Sequence, residues 1–291
     1  MGQRTAARSG PSRRRPSAAY TAQMGTTAFI GGGNMAAAII GGLRRGGRPA
    51  ATLLVVEPDA ARRAWLGEAF GVTAVAAADA TLRSAELVVW AVKPQAFREA
   101  SDAAAPHLGS ALQLSVMAGI RSDAIARATG SERVVRAMPN TPALIGQGIS
   151  GLYARPAVDA SGRAAVEAVL AATGRTLWVE SEADLDAVTA LSGSGPAYVF
   201  YFAEAMVRAA VAMGLTPAQG RELALATFAG ASALARGSDE PLETLRERVT
   251  SKGGTTHAAI AALESAGVDT AFMRALEAAR VRARELGDAY G

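Results

Sequence analysis

Short apolar runs alternate with segments of helical periodicity over roughly the first 180 residues of the chain. The apolar runs predict five strands, at Thr27–Ile30, Thr52–Val56, Leu87–Val92, Leu112–Val116 and Val134–Ala137. Helical periodicity marks the segments between them, at about 34–46, 59–69, 95–104 and 121–129. Strands that alternate with helices of this length indicate βαβ units, so we predict an α/β fold with a parallel, doubly wound sheet.

Beyond these units the pattern adds two strands and then becomes entirely helical. The two strands, Gly148–Tyr153 and Thr176–Val179, flank a predicted helix at about 159–173. The later helices are predicted at about 184–191, 196–213, 217–236, 241–249, 254–265 and 269–286. Several are rich in alanine on every side, and a helix without a polar face is normally buried. One small helical domain has few places to bury them, so we expect an intertwined helical oligomer.

A basic N-terminal tail precedes the two predicted domains. Residues 1–24 carry five arginines and no acidic residue, and without them the net charge of +4 becomes about −1. We interpret this tail as a disordered extension from a non-native or mis-assigned start, because Met24 opens a natural first strand. A transit peptide and a nucleic-acid-binding arm are the alternatives. The α/β domain then covers residues 25–180, and an all-α domain covers residues 181–291.

Composition excludes several classes of protein. Hydrophobic residues make up 50% and charged residues 19% of the chain, as in ordinary globular proteins. The absence of cysteine excludes disulfides and thiolate catalysis, and two distant histidines, His107 and His257, do not suggest a metal centre. No stretch approaches the roughly 18 uninterrupted apolar residues of a membrane-spanning helix. We therefore expect a soluble, cytoplasmic protein with no metal, membrane or nucleic-acid partner.

A glycine-rich turn follows the first predicted strand and opens a helix. Its sequence, Gly31-Gly32-Gly33-Asn34-Met35-Ala36, has the G-x-G-x-x-A form of a dinucleotide-binding fingerprint. Gly31 allows a tight turn, Gly33 lets the backbone approach a pyrophosphate, and Ala36 allows close helix–strand packing. The helix N-terminus then offers N–H groups to the phosphates. The motif predicts an NAD(P)-binding Rossmann domain, with a ligand-free turn as the alternative.

Glu57 follows the second predicted strand, where a carboxylate accepts the hydroxyls of the adenosine ribose. A carboxylate there disfavours a 2′-phosphate, so Glu57 favours NADH over NADPH. Arg62 and Arg63 lie on the next helix and offer the phosphate an alternative partner. Glu57 as a solvated loop residue before Pro58 is the other alternative.

Three further segments follow predicted strands at the same edge of the sheet. Lys93, in Ala91-Val92-Lys93-Pro94, is one of only two lysines and is placed to reach a cofactor, unless it is a solvated strand-end residue. Ala118-Gly119 indicates close backbone approach. The prolines of Met138-Pro139-Asn140-Thr141-Pro142 fix a loop that suits a wall for the nicotinamide ring.

Two loops of the helical part combine paired glycines with hydroxyl groups ahead of a helix. They are Leu191–Tyr198 and Val249–Thr256. Both predict a cradle of N–H donors suited to a carboxylate. The alternative is that both are ordinary helix caps, with Ser194 or Thr255 satisfying the first N–H groups.

Together these segments resemble the pyrroline-5-carboxylate reductase family, from about Ala28 to the C-terminal helix. Five motifs in family order carry the resemblance: Phe29-Ile30-Gly31-Gly32-Gly33-Asn34-Met35-Ala36, Ala91-Val92-Lys93-Pro94, Met138-Pro139-Asn140-Thr141-Pro142, Gly193-Ser194-Gly195-Pro196-Ala197-Tyr198 and Ser251-Lys252-Gly253-Gly254-Thr255-Thr256. The set is far more specific than the glycine fingerprint alone. The tail over residues 1–24 lies outside the resemblance.

The resemblance implies a reductase that transfers a hydride from NADH or NADPH to C5 of 1-pyrroline-5-carboxylate and forms L-proline, the last step of proline biosynthesis. It also implies an N-terminal Rossmann domain and a helical domain that interlocks in a homodimer, which is often assembled into a decamer. The expected cofactor-binding residues are Ile30, Gly31, Gly33, Asn34, Met35, Glu57, Ala91, Val92, Lys93, Pro94, Ala118, Gly119 and Asn140.

The same resemblance implies a substrate loop and a catalytic residue. The expected substrate-binding residues are Ser251, Gly253, Gly254, Thr255 and Thr256. The family threonine that matches Thr256 hydrogen-bonds the ring nitrogen, so Thr256 is the expected catalytic residue. Lys252 stands where the family usually has proline, which should loosen the loop and adds a cation that attracts an anionic substrate. A cyclic imine is substantially protonated near neutrality, so no strong acid is needed, and His257 is expected to have a packing or surface role.

Two other functions fit parts of the sequence. A related reductase would act on a hydroxy acid or another imine. Hydroxyacid relatives place a catalytic lysine on a helix after a glycine-rich turn, whereas Lys252 lies in the loop itself. A non-catalytic dinucleotide-sensing or nucleic-acid-associated protein would retain Gly31 and Gly33 but has no reason to keep Gly254 and Thr256.

Overall fold

The computed structural model describes residues 25–290, so the prediction for the tail over residues 1–24 lies outside the described residues. The described chain forms two compact units. The first unit runs to Leu185 and takes in the end of the chain from Gly287. The second unit is Asp186–Leu286.

The first unit is built on an eight-stranded sheet. Its strands are β1 (Thr26–Ile30), β2 (Leu53–Val56), β3 (Thr73–Val75), β4 (Ala85–Trp90), β5 (Leu112–Ser115), β6 (Val134–Met138), β7 (Gly148–Ala154) and β8 (Gly174–Trp178). The strand order is β3-β2-β1-β4-β5-β6-β7-β8. Strands β1 to β6 pair in parallel, which confirms the predicted doubly wound fold. No direction was predicted for β7, which runs antiparallel to β6, and β3 was not predicted at all.

Helices cover both faces of this sheet. They are α1 (Asn34–Arg45), α2 (Ala60–Phe70), α3 (Phe97–Ala104), α4 (Ser122–Thr129) and α5 (Ala160–Leu170). Successive strand residues enter opposite cores, because side chains alternate across a strand. Phe29 and Val89 lie in one buried cluster, and Ile30 and Trp90 lie in the other. Both faces are therefore apolar, as a parallel sheet between helices requires.

The later part of the chain is helical. Its helices are α6 (Asp184–Val188), α7 (Gly195–Ala212), α8 (Pro217–Arg236), α9 (Leu242–Arg248), α10 (Thr255–Ser265) and α11 (Val268–Tyr290). Thr216 caps α8 in a capping box with Gln219, which sharpens the start of that helix. Within residues 25–290, no helix is long and apolar enough to cross a membrane.

The second unit lacks an apolar core of its own. Its buried hydrophobic residues within the described chain are four alanines, Ala190, Ala203, Ala210 and Ala224. Large apolar side chains face outward instead, including Phe200 at 64% and Leu234 at 75% exposure. Exposed apolar area of this extent indicates an interface with another chain.

Candidate active site

The cofactor-binding residues predicted in the first unit gather at the carboxyl edge of the sheet. The strand order reverses beside β1, which pairs with β2 on one side and β4 on the other. The Gly31 N–H donates to the Val56 carbonyl at 2.8 Å, and the Ala91 N–H donates to the Ile30 carbonyl at 2.8 Å. The chain segments that follow β1, β2 and β4 are therefore joined at the position where such sheets bind dinucleotides.

The glycine-rich turn contains two glycines that are needed for different reasons. Gly31 has a φ of +96°, and a Cβ on it would lie 2.8 Å from the Ala91 carbonyl oxygen. The fold itself therefore requires glycine at this position. Gly33 has an ordinary φ of −64°, and a Cβ on it would come no closer than 4.0 Å to other protein atoms. Neither backbone conformation nor packing within the described chain explains Gly33, which fits space reserved for a ligand.

Helix α1 begins directly after this turn without a side-chain cap. Gly33 is its N-cap residue and has no side chain to satisfy the first N–H groups. Gly33 and Asn34 are exposed, and Met35 is half-buried. The first turn of α1 contains no acidic residue. The uncapped N-terminus, with its partial positive charge, fits a pyrophosphate group.

Glu57 lies at the carboxyl end of β2 and is fixed by hydrogen bonds. Its Oε2 accepts the Gly32 N–H at 2.8 Å, and its Oε1 accepts the Asp59 N–H at 2.9 Å. The alternative of a merely solvated side chain is therefore wrong. Arg63 donates to the carbonyls of Glu57 and Pro58, so it holds the same turn from outside.

The segment after β4 combines an exposed cation with a rigid turn. Ala91 and Val92 are half-buried, Lys93 is exposed, and Pro94 begins a 3-10 turn over Pro94–Ala96. After β5, Ala118 is exposed and Gly119 has a φ of +78°. The turn conformation itself explains glycine at position 119.

Asn140 lies in the loop after β6, at the same edge of the sheet. Its backbone precedes a 3-10 turn over Thr141–Ile145 that contains Pro142. The Asn140 side-chain Oδ1 accepts the Ile149 N–H at 3.0 Å. This bond ties the loop to the start of β7, so part of the Asn140 side chain shapes the predicted nicotinamide wall.

The predicted substrate loop lies in the second unit and contains a tight turn. The Gly254 N–H donates to the Ser251 carbonyl at 3.0 Å, and Gly253 has a φ of +75°. These features define a type II turn with Lys252 at its second position and glycine at its third. Proline is common at the second position, and lysine is compatible with it. The turn therefore forms without the family proline.

The turn leads directly into the N-terminus of α10, which has no side-chain cap. Gly254 is the N-cap residue, and a Cβ on it would lie 2.7 Å from Ser251 Oγ. The alternative in which Thr255 caps the helix is wrong. Thr255 and His257 are exposed and Thr256 is half-buried in the single chain. Uncapped N–H groups beside hydroxyls provide a site for a carboxylate.

The other predicted cradle does not form as a loop. Residues 189–193 make a π-helical turn, in which the Ser194 N–H donates to the Thr189 carbonyl at 2.9 Å. Helix α7 then begins at Gly195, and Ser194 makes no side-chain cap. The prediction of an anion cradle at Leu191–Tyr198 is therefore wrong, and so is Ser194 as a cap. A π-helical turn has no glycine-and-serine signal that distinguishes it from a loop.

Arg62 makes a contact at this site that the sequence did not predict. Arg62 donates from Nε to the Gly32 carbonyl at 2.6 Å, so it contacts the glycine-rich turn directly. Its position on the exposed start of α2 gave no sign of this contact. Among residues 25–290, no cluster of His, Asp and Glu could hold a metal ion.

A dinucleotide-type sheet edge and a helical unit without its own core are typical of one class, the oligomeric, two-domain NAD(P)H-dependent oxidoreductases. Comparison with known proteins defines the family. Residues 26–119 match the family described as NADP oxidoreductase, coenzyme F420-dependent, and residues 182–286 match pyrroline-5-carboxylate reductase dimerisation. The Pseudomonas aeruginosa pyrroline-5-carboxylate reductase is 44% identical, over 91% of this chain and 97% of that protein.

Solved structures agree with this comparison. A pyrroline-5-carboxylate reductase from Coxiella burnetii has a TM-score of 0.86 and 36% identity, and the match covers 91% of this chain and 99% of that one. The Plasmodium falciparum enzyme, solved with NADP bound, has a TM-score of 0.79 and 28% identity, with 90% and 98% covered. The chain belongs to the pyrroline-5-carboxylate reductase family. It is a homo-oligomeric oxidoreductase that uses a nicotinamide cofactor and acts on an imine.

Proposed function

We propose that this chain reduces 1-pyrroline-5-carboxylate to proline with the two glycine-rich sites described above. The observation that supports this most directly is that both sites have helix N-termini without side-chain caps. One suits the pyrophosphate of a dinucleotide, and the other suits the carboxylate of the substrate. The test is product analysis: purified protein, 1-pyrroline-5-carboxylate and reduced cofactor should yield proline, and a Thr256→Ala variant should form it far more slowly.

The cofactor-binding residues are those at the carboxyl edge of the sheet. Gly31 and Gly33 form the turn under the pyrophosphate, and the backbone N–H groups of Asn34 and Met35 bind its oxygens. The floor of the cofactor site is formed by Ile30, Ala91, Val92 and Pro94. The nicotinamide half of the cofactor is bordered by Lys93, Ala118, Gly119 and Asn140. When bound, the reduced nicotinamide supplies the hydride that C5 of the imine receives.

The substrate site is the turn and the first residues of α10. The N–H groups of Thr255 and Thr256 bind the substrate carboxylate, together with Ser251 Oγ. Gly253 and Gly254 keep the turn open, since a Cβ on Gly254 would lie 2.7 Å from Ser251 Oγ. The carboxylate fixes the ring, and Thr256 Oγ1 then hydrogen-bonds the ring nitrogen.

The chemistry requires orientation more than acid catalysis. The ring nitrogen of a cyclic imine is protonated to a large extent near neutral pH, so C5 is already electrophilic. Thr256 accepts a hydrogen bond from this N–H and holds the ring at one angle. Orientation and fixed dipoles supply the main contributions to such a reaction. His257 needs no role in proton transfer, and its exposed position in the single chain is consistent with this.

NADH is the preferred cofactor in this proposal, because the Glu57 carboxylate accepts the ribose hydroxyls and repels a 2′-phosphate. Its two oxygens keep acceptor capacity beyond the bonds to Gly32 and Asp59. Glu57→Ser should move the ratio of kcat/KM for NADH and NADPH toward NADPH by at least about tenfold. Glu57→Asp is the matched control and should retain the preference for NADH. An unchanged ratio in Glu57→Ser would remove Glu57 from cofactor selection.

The assembly is a homodimer through the helical unit, and the dimers associate into a decamer. The exposed apolar residues of α7 and α8, such as Phe200 and Leu234, support a large interface. Light scattering on the purified protein measures the assembled mass and distinguishes two subunits from ten.

A further inference from the structure

The peptide unit of Gly32 is held by side chains on both sides. Its N–H donates to Glu57 Oε2 at 2.8 Å, and its carbonyl oxygen accepts from Arg62 Nε at 2.6 Å. Gly32 is the middle residue of the turn, between the tight turn at Gly31 and the open position at Gly33. Both bonds therefore fix the orientation of the turn that precedes the α1 N-terminus.

The Arg62 side chain is itself held in place. Its guanidinium carbon lies 4.1 Å from the centre of the Trp65 ring, one helical turn further along α2. Its Nη2 is buried and has no hydrogen-bond partner within residues 25–290. A stacked guanidinium with a charge-assisted bond to a carbonyl has little freedom to move.

This geometry disfavours Arg62 as an anchor for the 2′-phosphate. A guanidinium binds a phosphate at two points through its Nε–Nη2 edge or its Nη1–Nη2 edge. Nε already donates to the Gly32 carbonyl, and Nη2, which belongs to both edges, is buried. An arginine that anchors a phosphate would have its N–H groups exposed to solvent, whereas the Nε of Arg62 faces the protein backbone.

We propose that Arg62 is a positioning residue that, with Glu57, clamps the Gly32 peptide and sets the glycine-rich turn before the cofactor arrives. The proposal rests on the proposed cofactor site and deepens it. Binding to a preset turn avoids the entropy cost of ordering it. Because the pyrophosphate is common to both cofactors, Arg62 contributes equally to NADH and NADPH binding. Glu57 then determines the preference between NADH and NADPH.

The test compares Arg62→Met with Arg63→Met by calorimetric titration of the full-length protein with NADH and NADPH separately. Both variants remove one positive charge and every N–H donor of the side chain from the same turn of α2, but Arg63 bonds to Glu57 and Pro58 and not to the glycine-rich turn. We expect Arg62→Met to weaken both cofactors by about tenfold, the effect of losing one charge-assisted hydrogen bond. Arg63→Met should change either by less than about threefold.

Hydrogen exchange of the cofactor-free protein gives a second readout. The peptide that covers Gly31 to Gly33 should exchange faster in Arg62→Met and at the normal rate in Arg63→Met. Arg62→Lys keeps the charge but places a methylene where Nε donates, so it should resemble Arg62→Met. If Arg62→Met does not fold, the same two measurements are made on Arg62→Lys.

Selective loss of NADPH binding in the Arg62 variants, with NADH unaffected, would overturn the proposal in favour of a phosphate anchor. Unchanged affinities, or unchanged exchange of the glycine-rich turn, would overturn it as well. If the proposed cofactor site itself is wrong, the result is different: the wild-type protein would bind neither NADH nor NADPH in the same titration.

Discussion

The two glycine-rich sites of this protein have similar composition but different construction. After β1, Gly31 is required by a positive φ and a close carbonyl, whereas nothing within the described chain requires Gly33. Before α10, the protein requires both glycines: Gly253 has a φ of +75°, and a Cβ on Gly254 would meet Ser251. The first site therefore contains a glycine that neither its backbone conformation nor its packing within the described chain requires, and the second contains glycines that shape a turn.

The two sites also differ in what holds them. Side chains from outside the turn, Glu57 and Arg62, fix the Gly32 peptide of the first site. The second site is held by its own backbone bond from Gly254 to Ser251. A site fixed by the surrounding unit suits a large cofactor, and a self-contained turn suits a small anion. The following variants test this contrast, in order of expected effect.

Thr256→Ala should have the largest effect, because Thr256 is the proposed partner of the ring nitrogen. We expect turnover to fall by about a hundredfold or more, the usual cost of losing an orienting hydrogen-bonding group. Cofactor affinity should stay the same, since the first site is intact. Steady-state kinetics and NADH titration measure the two quantities, and Thr256→Ser should retain most activity. An equal loss of cofactor binding would contradict the assigned role.

Gly33→Ala and Gly31→Ala should have different effects. Gly33 is proposed to leave room for the ligand, whereas Gly31 is required by the fold. Gly33→Ala should weaken cofactor binding by at least about tenfold, because its methyl group occupies the space next to the pyrophosphate. Its unfolding temperature should fall much less than that of Gly31→Ala, because the only cost is that of alanine as a poorer N-cap residue. Gly31→Ala should lose about 2 kcal/mol of stability or more, through the left-handed φ and the Ala91 carbonyl. A larger fall in unfolding temperature for Gly33→Ala than for Gly31→Ala would contradict this distinction between the two glycines.

Lys252→Met should have a moderate effect that depends on salt. The lysine adds a positive charge beside the proposed carboxylate site, and screening removes such attraction at high ionic strength. We expect KM for the substrate to rise by about two- to fivefold at low salt and to converge with wild type at about 1 M salt. Lys252→Pro should fit the same turn and show the same salt dependence as Lys252→Met. A difference in KM that does not change with salt concentration would instead assign Lys252 a steric role.

Asp159→Ala should have the smallest effect, on stability alone. Unlike α1 and α10, α5 has a side-chain cap: Asp159 accepts the Gly162 N–H at 2.8 Å. This bond and, to a smaller extent, the bond from the Ser161 hydroxyl lower the pKa of Asp159 below its usual value of 3.8. A lowered folded-state pKa gives stability that is present above the unfolded-state pKa and is lost as pH falls through the folded one. Wild type should therefore exceed Asp159→Ala in unfolding temperature at pH 7, and the gap should narrow near pH 3. A constant gap would contradict the capping role.

The sequence predicted the sheet and the turn ahead of α10 well because each has a local signal. Alternating apolar runs located β1 and β4, and the turn glycines and hydroxyls located Ser251–Thr256 ahead of α10. Strand β3 was missed because Thr73–Val75 is only three residues long, too short for periodicity. The antiparallel direction of β7 is a property of the tertiary fold and leaves no pattern in one strand.

Other features of the site depend on contacts that no single segment encodes. The π-helical turn at residues 189–193 uses the same glycines and serines as a loop, so composition misidentified it. The bond from Arg62 to Gly32 joins residues thirty positions apart, across two elements. Only the assembled βαβ unit brings them together.

The proposed activity is tested most directly by the loss of absorbance at 340 nm when the purified protein is mixed with 1-pyrroline-5-carboxylate and NADH or NADPH. We predict rapid oxidation of the cofactor, faster with NADH because of Glu57. No oxidation with either cofactor, in protein that is folded, oligomeric and able to bind NADH, would contradict the proposed substrate site. It would also make Lys252→Pro the first variant to assay.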